Sequence, residues 1–156
     1  MDIAEFRRTV GTFPSGVTVV TTHDDGHDYG LTVSAFCSLS LDPPMVLVAL
    51  DSASRTLTHL GQGQPIAVSV LSESQGALAK QFATHGGDKF ADVMVHRVAH
   101  DVPVLDGVSA WFVGTVAGLY LGGDHTIITV LVEQMGHVDE ARPLLYQRGL
   151  LREWPV

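Results

Sequence analysis

Apolar and polar positions along the 156-residue chain change period several times, and each change marks an element. Ile3, Phe6 and Val10 recur at helical spacing behind Asp2, an N-cap residue with Glu5 three positions on, and the pattern stops before Pro14. One short helix is predicted there. The β-branched run VTVVTTH from Val17, the turn DDGHD and the run YGLTVSAF from Tyr29 predict a hairpin, because the Asp25-Gly26 step accepts the positive φ of a tight turn. MVLVAL (45–50), IAVSVL (66–71), the long apolar stretch from Val108 to Leu121 and HTIITVLVEQM (125–135) are each bounded by Gly, Pro, Asp or Ser. At least six strands follow. Between them, 54–61 and 74–84 have helical composition, the second with Leu78 and Phe82 and a terminating pair, Gly86-Gly87. Strands do not alternate with helices of doubly wound length, so the pattern predicts an antiparallel barrel with short helical excursions.

Composition narrows this to one compact domain over 1–156, with no linker, repeat or low-complexity stretch. With 46% hydrophobic and 17% charged residues, a chain of this length buries about 70% of its unfolded surface and needs no disulfide or metal to hold a core. Its formal charge of -8 leaves no basic surface for a run of phosphates, which excludes nucleic acid and anionic membrane as natural partners. The one cysteine, Cys37, has no internal partner, and Met1 is followed by Asp2 and Glu5 rather than a basic, apolar leader, so a cytoplasmic protein is expected. The uncharged run Gly107 to Gly123 spans 17 residues with five glycines, too short and glycine-rich for a membrane helix, and reads as a buried strand. Such long apolar runs also call for a partner subunit.

The chemistry concentrates in a few stretches. In GLTVSAFCSLSLDPP (30–44), Thr32, Ser34, Phe36, Ser38 and Ser40 fall on one parity and Leu31, Val33, Ala35, Cys37, Leu39 and Leu41 on the other, giving a hydroxyl face and an apolar face if the segment is extended. Two readings stand: a solvated strand face, or a ligand edge of short donors suited to a planar heteroaromatic ring or a phosphate. In DSASRTL (51–57), Ser52, Ser54, Arg55 and Thr56 begin a helical segment, either as an ordinary serine cap or as a phosphate grip. GxGxxG and GxxxxGK[ST] are absent, which argues against a Rossmann or P-loop site, and neither HExxH nor GxSxG occurs. No metal site is expected from the eight histidines. His125 lies in GGDHTI, where Asp124 is placed to orient its ring, unless it is simply a turn residue.

Taken in order, FPSGVTVVTT (13–22), GLTVSAFCSLSLDPPMVLVAL, SRTL, FATHGGDKF (82–90), GDHTI (123–127) and PLLYQRG (143–149) resemble the short-chain flavin reductases, the reductase components of two-component flavin monooxygenases. The resemblance implies a mainly β, six-stranded Greek-key split barrel with short peripheral helices, a homodimer, and hydride transfer from NADH or NADPH to FMN or FAD. The reduced flavin would reach a partner monooxygenase by diffusion. The alternative on the same fold is a protein that holds its flavin tightly as an electron carrier or oxidase. It further implies that Thr32, Ser34, Ser38 and Ser40, with backbone from Ala35 through Phe36, Cys37 and Leu39, border the isoalloxazine and ribityl chain. Ser52, Ser54, Arg55 and Thr56 then form the phosphate end, Phe82, Ala83, Lys89 and Phe90 lie beside the flavin, and His125 stands on the nicotinamide side. No side chain is required as acid, base or nucleophile. The absence of paired arginines for a 2′-phosphate leans to NADH.

Overall fold

The computed structural model describes residues 1–154. Helix α1 (Ile3–Val10) is followed by β1 (Ser15–Gly16), β2 (Thr18–Asp24), β3 (His27–Val33), β4 (Phe36–Leu41), β5 (Pro44–Asp51) and β6 (Pro65–Val70). After α2 (Gly76–Ala83) come β7 (Val95–Arg97), β8 (Pro103–Leu105), β9 (Ala110–Gly122), β10 (His125–His137), β11 (Leu145–Gln147) and β12 (Leu150–Arg152). Seven strands form one antiparallel sheet in the order β3-β2-β6-β9-β10-β5-β4, one strand more than the six expected, with β7-β8 and β1-β11-β12 as small satellites. The sheet closes on itself. Val20 of β2, Val33 of β3, Val46, Val48 and Leu50 of β5, Ile66 and Val68 of β6, Val116 of β9 and Ile128 and Val130 of β10 meet in one buried cluster, which a flat sheet of this order would not allow. The fold is a mainly β barrel split at one seam, the class expected.

Local sequence explains most boundaries. The Ala4 N–H donates to Asp2 Oδ1 at 2.9 Å, capping α1. Asp25 and Gly26 turn the β2-β3 hairpin at φ of 48° and 75°. The 54–61 segment is only a 3-10 turn, Thr56–His59, and the 74–84 segment a 3-10 turn running into α2. That helix ends at Ala83, ahead of the glycine pair, because the Thr84 hydroxyl bonds back to the Gln81 carbonyl at 2.7 Å.

Two expectations need correction. The 30–44 segment is not one strand: it breaks at Ser34 and Ala35, where the Phe36 N–H bonds to the Ser34 carbonyl and the Ala49 N–H to the Ala35 carbonyl. The break reverses the faces, so Phe36 packs inward 5.7 Å from the Phe112 ring while Cys37, Leu39 and Leu41 are exposed. A register shift between Ser38 and Ser40 then leaves Leu39 as an extra residue. The apolar stretch after Val108 is buried only in its first half; from Ala117 onward β9 pairs with β10 alone and exposes Tyr120 and Leu121, while β10 stays in the sheet against β5. No helix among the described residues is long and apolar enough to cross a membrane.

Candidate active site

The seam opens a cavity of about 590 Å³ between β3, the end of β5 with the turn after it, and the loop following α2. Its wall on one side is β3 and the break: Tyr29, Gly30, Thr32, Ser34 and Ala35. The Thr32 hydroxyl donates to the Ala79 carbonyl at 2.6 Å, tying this wall to α2, while the Ser34 hydroxyl has no protein partner among the described residues. Gly30 is needed because the Phe82 ring lies against it; a Cβ there would sit 2.7 Å from Phe82 Cε1. Phe82 is fully buried and meets Phe90 edge to face at 5.0 Å, so it supports the cavity from beneath. Its carbonyl and that of Gly30 accept from Lys89 Nζ at 3.0 and 3.2 Å. Burial pulls the Lys89 ammonium below the usual lysine value.

The opposite end is built by the turn after β5. The Asp51 carboxylate accepts the Ala53 N–H at 2.8 Å and the Ser54 hydroxyl accepts the Leu57 N–H at 3.3 Å, which orders the turn carrying Arg55 and buried Thr56. Ser52 is spent elsewhere. Its N–H donates to the Asp124 carbonyl and its hydroxyl lies 3.0 Å from that of Thr126, locking the tip of the β9-β10 hairpin onto β5. That lock delivers His125 to the cavity edge, with Nδ1 2.7 Å from Asp124 Oδ1. The hydrogen bond from His125, then its charge, holds the Asp124 carboxyl below the usual range.

Electrostatically the cavity is less acidic than its carboxylates alone would make it. Asp28 is pushed up by burial, but hydrogen bonds from Arg97 and His23 and their charges outweigh this and hold its carboxyl below the usual range. Arg97 Nη2 and His23 Nδ1 each lie 2.6 Å from an Asp28 oxygen. Asp88 is engaged by the Phe90 N–H at 3.0 Å and Asp51 as described. Arg55 forms no ion pair among the described residues and is the free cation of the site.

The cavity therefore brings together Thr32, Ser34, Ala35, Ser54, Arg55, Thr56, Ala83, Lys89, Phe90 and His125 of the residues expected from sequence. Phe36, Cys37, Ser38, Leu39 and Ser40 lie beyond the break on β4, Ser52 is in the hairpin lock and Phe82 in the core, and none of these lines the cavity. Sequence reasoning missed Tyr29, Asp28 and His85 to Asp88. The glycines of the last stretch have positive φ (Gly86 76°, Gly87 72°) and were legible as a helix stop and as part of the FATHGGDKF resemblance, not as cavity lining.

Residues 10–155 match the family model described as flavin reductase like domain. The reductase component of 4-nitrophenol 4-monooxygenase/4-nitrocatechol 2-monooxygenase from Rhodococcus opacus is 42% identical over 149 residues, covering 96% of this chain and 80% of its own. The flavin reductase (NADH) of Kitasatospora aureofaciens is 40% identical over 155 residues, covering 97% and 81%. The solved NADH:FAD oxidoreductase of Streptomyces globisporus C-1027, in complex with NAD and FAD fragments, superposes with a TM-score of 0.91 at 34% identity over 99% of this chain and 93% of that one.

Proposed function

The chain belongs to the flavin reductase-like family, and from that membership we propose that the seam cavity is where a flavin nucleotide and a reduced nicotinamide nucleotide meet. The protein is an NAD(P)H:flavin oxidoreductase that provides reduced flavin for a monooxygenase. The observation that carries the site assignment is the cavity's donor set. A volume of about 590 Å³ suits a small-molecule site, the Ser34 hydroxyl and Ala35 backbone stand on one wall, and a guanidinium with no carboxylate partner among the described residues stands at the other end. A planar ring with carbonyl oxygens and a phosphate tail fits that arrangement.

When bound, flavin supplies the acceptor for a hydride from the reduced nicotinamide, with one proton taken from solvent. The chain's part is binding and alignment. Ser34 and Ala35 hold the ring edge, and the Lys89 ammonium, fixed by two carbonyls, places positive charge where negative charge develops. Arg55, with Ser54 and Thr56, takes the phosphate. His125, steadied by Asp124, serves the nicotinamide nucleotide. NADH is the donor this reading favours, because Arg55 is the single arginine among the described lining residues and a 2′-phosphate calls for another. His125→Ala is expected to raise KM for NADH roughly five- to tenfold, the worth of one hydrogen bond, and to leave KM for flavin within about twofold. A larger rise for flavin would overturn its role.

Exposed Leu39 and Leu41 on β4, Tyr120 and Leu121 at the end of β9, and Ile3, Phe6 and Val10 on α1 leave apolar surface that a second copy would cover. The protein works as a one-domain homodimer in the cytoplasm, where NADH is at hand. Light scattering at micromolar concentration is expected to give twice the chain mass; a monomer would contradict the dimer.

The activity test is NADH oxidation by the purified protein with and without added FMN or FAD. A rate that scales with added flavin supports a reductase that releases its product. A yellow protein whose flavin neither nucleotide reduces supports the flavin-holding alternative instead.

A further inference from the structure

Arg55 lies against a lining tyrosine that is itself held by residues behind the cavity wall. Its guanidinium carbon lies 5.4 Å from the centroid of the Tyr29 ring. The His59 ring is stacked on the same tyrosine, with centroids 3.6 Å apart and planes 12° from parallel. His59 Nδ1 in turn lies 2.9 Å from Asp24 Oδ2. Arg55 and His59 come from one 3-10 turn, four residues apart, so a single turn grips the β3 tyrosine at two points while Asp24, at the end of β2, fixes the histidine. Tyr29 and Arg55 line the cavity, and His59 and Asp24 stand behind them.

We propose that Asp24, His59 and Tyr29 form a brace that holds the Arg55 guanidinium in place for the phosphate-bearing tail of a flavin nucleotide. The inference rests on the reading of the Arg55 end as the phosphate end. An unpaired arginine samples many rotamers, and a ligand that immobilises it loses affinity by that entropy. A ring against the guanidinium, itself fixed by stacking and one hydrogen bond, removes much of that loss before the ligand arrives. Tyr29, His59 and Asp24 are thus positioning residues. Their effect falls on the phosphate and spares the ring system.

The test is fluorescence titration with riboflavin, which lacks the phosphate, and with FMN. Tyr29→Leu and His59→Ala are expected to weaken FMN about fivefold, the upper range of a solvent-exposed cation–π contact, and to change riboflavin by less than about twofold. Tyr29→Phe, which keeps the ring, is expected to retain near wild-type FMN affinity. In an Arg55→Ala background, Tyr29→Leu is expected to have no further effect on FMN. Equal losses for riboflavin and FMN, or a Tyr29→Leu loss that adds fully to Arg55→Ala, would overturn the brace while leaving the flavin reading intact. A wild-type protein that binds neither flavin would overturn both. His59→Ala, at a side chain 23% exposed, keeps the test open if Tyr29→Leu does not fold.

Discussion

Gly114→Ala is expected to cost the fold at least about 3 kcal/mol, the upper range for overpacking, and to lower the melting temperature by roughly 10 °C. β9 lies between β6 and β10, and Gly114 pairs with Ile66 on one side and Val132 on the other. A Cβ at this position would stand 1.9 Å from the Leu131 carbonyl oxygen and 2.9 Å from its carbon. Both are backbone atoms, so no rotamer change relieves the clash and β10 must part from β9 in the middle of the sheet. The ladder is already irregular there, shifting register between Val132 and Gln134, and the missing side chain is what lets the strands approach. Gly61→Ala is the control, since nothing lies within 4 Å of its added Cβ. Thermal melts at one protein concentration check the pair, and a Gly114→Ala melting temperature within about 2 °C of wild type would contradict the packing described.

Phe82→Ala is expected to be nearly as severe, about 3–5 kcal/mol, for a different reason. The ring is fully buried, lies against Gly30 and meets Phe90 edge to face, so truncation leaves a cavity directly beneath the proposed flavin site. The same ring keeps β3 and α2 at the spacing that lets Lys89 reach both the Gly30 and Phe82 carbonyls. Flavin affinity should therefore fall together with stability, by tenfold or more. Phe82→Leu should restore most of both, because it refills most of the volume. Urea unfolding and flavin titration on the two variants check this. An alanine variant of normal flavin affinity would show that the cavity does not depend on its floor.

These residues also show what the sequence could and could not reveal. Asp25-Gly26 predicted its turn because only such residues accept positive φ without strain, and the structure places them at 48° and 75°. The long strands were legible from their β-branched runs and turn-forming boundaries. The break at Ser34 and Ala35 was not, because alternation continues through it without interruption, and the bond from the Phe36 N–H to the Ser34 carbonyl that marks the bend leaves no trace in the residue types. One bend moved Phe36 to the core and Leu39 and Leu41 to the surface. Thr32, Ser34, Ser54, Arg55, Lys89 and His125 were found by chemistry and family resemblance together, and they do converge on one cavity. Ser52 looked like the same chemistry as Ser54. Its partner, the Asp124 carbonyl, is 72 positions away, and local sequence does not carry such pairings. Tyr29 escaped notice for the same reason, since its importance lies in His59 and Arg55 folding onto it.

The role proposed for this cavity is to align a reduced nicotinamide with a flavin for direct hydride transfer. Its most direct test is anaerobic rapid mixing of the flavin-loaded protein with NADH, and with NADH carrying deuterium at the transferred position, while the oxidised-flavin absorbance is followed. The band is expected to decay at a rate that saturates with NADH, more slowly with deuterium. A band that persists at saturating NADH would contradict it.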